Sequence, residues 1–302
     1  MESTIMVGTS DGLHRIGPEP EVSLETRTVT WIAQAGSRWW AILDGRELWC
    51  SESHDSWKQT ASLGPHRANC VLPYDGGVLV GASDSHLHRL RGNVLAPVES
   101  FDEAPGRDSW FTPWGGPPDV RSMTADSDGN VYVNVHVGGV LRSGDAGESW
   151  EPTIEIGSDV HEVHFDPASG LLFAASSWGL GVSGDLGDSW QFHRSGMHAS
   201  YARAVTVAGD TVLVSASTGP RTRQAAVYRK PVGDAGPFER CTKGLPEWIV
   251  HNVDTACLAS SGSEVAFGTA GGSVFASEDQ GDSWELVADG LPAVRCLALA
   301  AG

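Results

Sequence analysis

The side chains best suited to chemistry recur at one point of a repeating pattern. Thr30, Asn69, Arg121, His161, Arg203, Asp254 and Arg295 each stand at the entry to an apolar strand-like run. The positions two and four residues later are mostly apolar, as Val163 and Phe165 or Leu297 and Leu299 show. Three arginines at this level suit a carboxylate or phosphate, which a guanidinium meets with two parallel hydrogen bonds. The connecting loops add Trp114, Asp119, His198, Tyr201, Trp248, His251 and Asn252, and a second loop set adds His136, Trp178 and Arg221. Aromatic faces beside a few polar groups suit sugars or flat organic molecules. Histidine at neutral pH is a general base, so His161 or His136 is the candidate base, with Tyr201 and Asp254 as further catalytic candidates. Arg121, Arg203, Arg295, Asn69, Trp114, Asp119, Trp178, His198, Trp248 and His251 are the candidate ligand-binding residues.

His136, His161, His198 and His251 are also candidate ligands of a divalent metal, and no other cofactor is expected. His161-Glu162-Val163-His164 is not a helical zinc motif, because it lies on a strand that turns His161 and His164 to opposite faces. His14, His54, His66, His86 and His88 read as surface or turn residues.

What must position these groups is a repeat. Ser143-Gly144-Asp145-Ala146-Gly147-Glu148-Ser149-Trp150 returns at Ser183–Trp190 and at Ser277–Trp284, as S-x-D-x-G-x-x-W. A worn copy, one residue short, runs from Ser51 to Trp57. Ser and Asp accept backbone N–H groups in tight turns, glycine at 147, 187 and 281 supplies a positive φ, and the Trp brings buried surface. The three clean copies begin at residues 143, 183 and 277, one period apart and then two. The copy missing between them falls in a repeat that carries an insert, Thr218 to Ala226, and an altered turn, Gly233 to Phe238.

A softer repeat covers the whole chain, with runs entered near Val29, Ala68, Val120, Val160, Ala202 and Val253. The C-terminal Val294–Gly302 reads as an innermost strand and the N-terminal Thr4–Thr9 as a second strand. Joined, they complete a seventh repeat and remove the sheet edge that an open array exposes. Seven repeats over 302 residues average about 43 each, the length of a four-stranded blade. The expectation is an all-β chain, a seven-bladed β-propeller of four-stranded antiparallel blades, with residues 1–302 as one domain. The insertion Phe111–Pro118 reads as a loop.

The S-x-D-x-G-x-x-W turn resembles the Asp-box, or BNR, repeat of sialidase-like propellers and of bacterial BNR-repeat proteins often labelled glycosyl hydrolases. The resemblance implies a propeller with its ligand site on the face opposite the Asp-box turns. In sialidases three arginines hold the substrate carboxylate, a Tyr activated by a Glu is the nucleophile, and an Asp is the acid. Arg121, Arg203, Arg295, Tyr201 and Asp119 or Asp254 match by position. Arg15-Ile16-Gly17 lacks the proline of the family's Arg-Ile-Pro motif, Tyr201 has no obvious Glu partner, and seven blades replace six. True sialidase activity is therefore not expected.

With 38 acidic against 20 basic residues, the net charge of −18 argues against nucleic acid or an anionic membrane as partner. Five cysteines without C-x-x-C spacing, no basic leader and no long apolar run predict a cytoplasmic chain; Cys70, Cys257 and Cys296 read as buried thiols. The leading expectation is a small-molecule site for an anionic or glycan-like ligand, with hydrolysis or elimination as its chemistry. The alternatives are a non-catalytic interaction scaffold and a metal-dependent enzyme.

Overall fold

The computed structural model describes residues 3–17, 19–53 and 55–300. His54 and the last two residues of the expected C-terminal strand lie outside that range. The described residues build seven four-stranded sheets, the blades of a β-propeller. Blade 1 is Val29–Ala35, Arg38–Leu43, Glu47–Ser51 and Lys58–Ser62; blade 2 is Ala68–Tyr74, Gly77–Ala82, Leu87–Arg91 and Val94–Pro97. Blade 3 is Val120–Ala125, Val131–Val135, Gly139–Ser143 and Glu151–Pro152; blade 4 is Val160–Asp166, Leu171–Ser176, Gly179–Ser183 and Gln191–His193. Blade 5 is Tyr201–Ala208, Thr211–Ser217, Ala225–Pro231 and Glu239–Arg240; blade 6 is Leu258–Ser261, Glu264–Gly268, Val274–Ser277 and Glu285–Ala288. Blade 7 takes its first strand, Val294–Ala300, from the C-terminus and the others, Thr4–Thr9, Gly12–Ile16 and Glu21–Ser23, from the N-terminus. The joining pair runs from Thr4 opposite Ala300 to Thr9 opposite Val294, as the terminal sequences predict.

Burial follows apolar content across a blade. The second strand is enclosed on both faces: all five residues of Val131–Val135 and all seven of Thr211–Ser217 are buried. Such strands read as continuous apolar runs because neither face meets water. The outermost strands are short and wet, and Glu151–Pro152 is fully exposed. Each innermost strand has a free edge, whose N–H and C=O groups need partners. Hydroxyls on neighbouring strands provide them: the Val163 N–H donates to Ser122 Oγ at 3.0 Å, the Phe165 N–H to Thr124 Oγ1 at 3.2 Å, and Ser260 Oγ to the Val207 carbonyl at 2.6 Å.

The Asp-box turns satisfy themselves. Ser143 Oγ accepts the Gly147 N–H and donates to Asp145 Oδ1, each at 2.8 Å, and that oxygen also accepts the Ser149 N–H at 2.9 Å. The same bonds recur around Asp185 and Asp279. The Ser149 and Ser189 hydroxyls and N–H groups hold Asp145 and Asp185 down to about 2. At Asp279 burial acts the other way but is outweighed by Ser283 and Ser277, and its carboxyl also lies at about 2. Gly147 has φ 87°, and the residue before each glycine is left-handed too: Ala146 and Leu186 at 59°, Gln280 at 56°. Trp150 and Trp284 are buried, edge-on to Phe101 and Phe267 at 5.0 Å, while Trp190 is only half-buried.

Two compact units make up the chain. Thr30–Ala174 with Gly181–Gln191 is one; Met1–Val29, Ala175–Leu180 and Phe192–Gly302 are the other. Phe101, Trp110, Val133 and Trp150 centre one core of the first unit, and Val227, Val265, Phe267 and Leu297 centre that of the second. No described helix is long and apolar enough to cross a membrane.

Two sequence assignments shift. Val253–Ala256 is not a strand: blade 6 begins at Leu258, and Asp254–Cys257 is a turn closed by the Cys257 N–H on the Asp254 carbonyl, with Ala256 at φ 60°. The blade 5 insert ends before Ala225, which already belongs to the third strand. All five cysteines are free, and Cys70, Cys257 and Cys296 are buried as expected.

Candidate functional site

Four of the seven strand-entry residues share a backbone feature. Asn69, Arg121, Arg203 and Arg295 are each the extra residue of a β-bulge: in blade 3, Val120 pairs with Val135 and Ser122 with Asn134, leaving Arg121 unopposed. A bulge re-aims the side chain of its extra residue, which is why a polar residue recurs between apolar or small neighbours.

The polar groups nevertheless have different fates. Arg203 is only 11% exposed, and its Nε and Nη2 donate to Asp254 Oδ1 at 2.9 and 2.6 Å. Its Nη1 donates to Tyr201 Oη at 3.0 Å, and the Thr255 N–H also reaches Asp254 Oδ1. Burial acts against the guanidinium charge, but Asp254 and Tyr201 more than offset it and raise the Arg203 pKa. Three candidates thus bind one another, and Arg203 is not an open anion clamp. Asn69 and Asp119 are similarly engaged: both take Arg67, at 3.1 and 3.0 Å, and Asn69 Nδ2 donates to the Val120 carbonyl. Arg121 is half-buried and Arg295 exposed.

In the second unit, His198 uses both ring nitrogens. Nδ1 meets Tyr228 Oη at 2.6 Å and Nε2 meets the Gln224 carbonyl at 3.0 Å. Trp248 packs 4.7 Å from that ring and carries the Arg240 guanidinium 3.9 Å above its own. Trp178 is 40% exposed and edge-on to Phe192, and His251 is an exposed turn residue at φ 70°. His198 and His251 do not join a metal-type cluster.

His136 and His161 do come together, around an acid that the repeat pattern did not single out. His136 sits in the turn between the second and third strands of blade 3, and its N–H is anchored on the Asp119 carbonyl at 3.0 Å. Behind it, a Cβ on Gly138 would stand 2.4 Å from Val135 Cγ1, so the turn admits only glycine there. Asp159 ends the short 3₁₀ turn Ile156–Ser158, and His161 is the second residue of blade 4. His136 Nε2 is 3.3 Å from Asp159 Oδ1, and His161 Nε2 is 3.5 Å from Oδ2. Among the described residues this is the one group of three whose ligating atoms all lie within 4.8 Å. Burial pushes the Asp159 carboxyl up, but the two imidazoles outweigh it and hold it well below the usual range. His161 is fully buried, His136 is 16% exposed, and the 71% exposed Trp114 packs 5.4 Å from the His136 ring. Val137 at φ 55° and Asp159 at φ 49° are both left-handed, and for a β-branched valine that is strained. The available signal was an acid two residues before His161 in sequence.

Of the histidines read as surface or turn residues, His88 departs from that reading. His88 is buried, His66 lies 4.2 Å from His86 ring to ring, and His86 Nδ1 meets Asp102 Oδ1 at 2.9 Å. Burial, with His86 and His66 nearby, pushes His88 down to about 4.

No family model and no curated protein matches the chain. Solved structures do. The GH74 xyloglucanase of Xanthomonas campestris superposes with a TM-score of 0.72 at 16% identity, over 96% of this chain and 53% of that one. YCF48 of Cyanidioschyzon merolae gives 0.63 at 16%, over 91% and 92%, and YCF48 bound to D1 peptide gives 0.57 at 14%, over 86% and 82%. The chain spans about half the length of the GH74 enzymes it matches. At these identities the likeness establishes the fold: this is a seven-bladed propeller of the architecture that GH74 enzymes and YCF48 also use.

Proposed function

We propose that this propeller is a hydrolase acting on a glycan-like ligand at the blade 3 turn and the entry to blade 4. The observation that carries the reading is the convergence of His136, Asp159 and His161 beside the exposed face of Trp114. An indole face stacks on a sugar ring, and an imidazole pair held by a carboxylate activates water. The similar structures include a GH74 xyloglucanase, and the Asp-box resemblance points to glycoside chemistry as well. A glycan-like ligand is preferred over an anionic one because Arg203 is engaged by Asp254. For the same reason a sialidase-type arginine triad is not proposed. Binding and hydrolysis of neutral oligosaccharides, compared between wild type, Trp114→Ala and His136→Ala, test the reading. Equal binding and turnover in all three proteins rejects it.

A second reading has its own observation. Phe111 and Trp114 are 59% and 71% exposed on one loop, an apolar pair suited to a peptide, and one YCF48 structure holds a peptide. Peptide binding that Phe111→Ala abolishes, without any oligosaccharide turnover, favours a scaffold.

A further inference from the structure

We infer that His136, Asp159 and His161 hold a divalent transition-metal ion through two imidazole nitrogens and one carboxylate, leaving positions open for water and ligand. The inference rests on the site proposed above and names what activates water there. The spacing carries it. Ligands about 2.0–2.1 Å from a tetrahedral zinc lie about 3.3 Å from one another. The two nitrogen–oxygen separations here are 3.3 and 3.5 Å, and all three ligating atoms lie within 4.8 Å. A direct hydrogen bond accounts for the arrangement poorly. Asp159 Oδ1 is buried without a well-formed hydrogen bond, although His136 Nε2 stands 3.3 Å away.

Charge points the same way. Among the described residues no lysine or arginine pairs with Asp159; the part-buried carboxylate meets only the two imidazoles. Buried charges are paired or bind metals. The left-handed backbone at Val137, strained for a β-branched residue, lies directly after His136, and such a cost persists where a site demands it. Two imidazoles with one carboxylate favour zinc or iron(II) over calcium or magnesium, which take oxygen ligands. A metal held by three protein groups with an open position generates a hydroxide from bound water near neutral pH.

The test uses the full chain, stripped with chelator and titrated with Zn²⁺ and with Co²⁺ in the absence of any organic ligand. Expected are one equivalent of tightly bound zinc and a visible Co²⁺ d–d absorption of low-symmetry coordination. Asp159→Asn keeps the size of the side chain and tolerates the left-handed backbone. It should weaken zinc binding by at least about 100-fold, as should His136→Ala. Matching circular dichroism of the stripped variants and stripped wild type shows that they fold. No saturable binding by wild type below millimolar metal, or equal binding by the folded variants, overturns the metal site. Oligosaccharide binding is measured separately on chelator-stripped protein, so the sugar site and the metal site fail independently.

Discussion

Two histidine clusters in the Thr30–Ala174 unit show what turns imidazoles into a site. In blade 2, His66, His86 and His88 pack ring against ring, and the nearby Asp102 is shared between His86 at 2.9 Å and Arg107 at 3.1 Å. In blades 3 and 4, His136 and His161 both face Asp159, and no described lysine or arginine pairs with that acid. The first acid is neutralised by its arginine, and His88, buried behind, is held neutral at about 4. Among the described residues the second acid has imidazoles alone as its partners. The first cluster holds three imidazoles and the second two, with ring separations of 4.2, 6.1 and 6.4 Å against 5.8 Å. On the proposed metal reading, the position of the nearest arginine is what separates the two clusters.

The comparison breaks first at its acids. Asp159→Asn should cost at least about 100-fold in zinc affinity, whereas Asp102→Asn should leave zinc affinity unchanged; isothermal titration of both separates the clusters. Next comes acid stability. His88 is lowered in the folded state from 6.5 to about 4. The unfolded chain therefore binds this proton first as pH falls, and stability is lost between about 6.5 and 4. The loss approaches about 3 kcal/mol at the acid end, given about 1.4 kcal/mol per pH unit. The charged and titratable groups acting on the folded His88 are His86, His66 and Asp102, and Asp102 is itself paired with Arg107. His88→Leu should flatten that limb of a denaturation series run from pH 7 to pH 4, and an unchanged limb assigns the acid lability elsewhere.

Smaller effects sharpen the picture. Val137→Gly removes a β-branched residue from φ 55°. Strain relief, less the added backbone entropy of glycine, should stabilise the protein by about 1 kcal/mol in thermal melts. Zinc binding should weaken because the His136 turn loosens. Asp102→Asn should destabilise by only about 0.5–1 kcal/mol, since its pairs are partly exposed.

The blade count, the joining of the two termini and the turn bonds of Asp145, Asp185 and Asp279 were legible in the chain. They rest on local contacts repeated at a fixed period, and each repeat restates them. The entry residues were legible as a set, but not their roles. Asn69, Arg121, Arg203 and Arg295 recur because a bulge recurs. Whether such an arginine stays open or closes on an acid, as Arg203 does on Asp254, depends on a turn in the next blade. The buried His88 was missed because its alternating strand carries polar neighbours that mimic a wet face.

By itself, the sequence determined a closed ring of seven blades and put His136 and His161 among the candidate residues. Only the tertiary structure decided that the two meet around Asp159 while His198 and His251 go elsewhere. Periodic strands are set by neighbours in the chain, so their pattern shows in one dimension. Convergence is set by aperiodic loops between blades, and here by two left-handed residues, Val137 and Asp159, whose conformation no repeat announces.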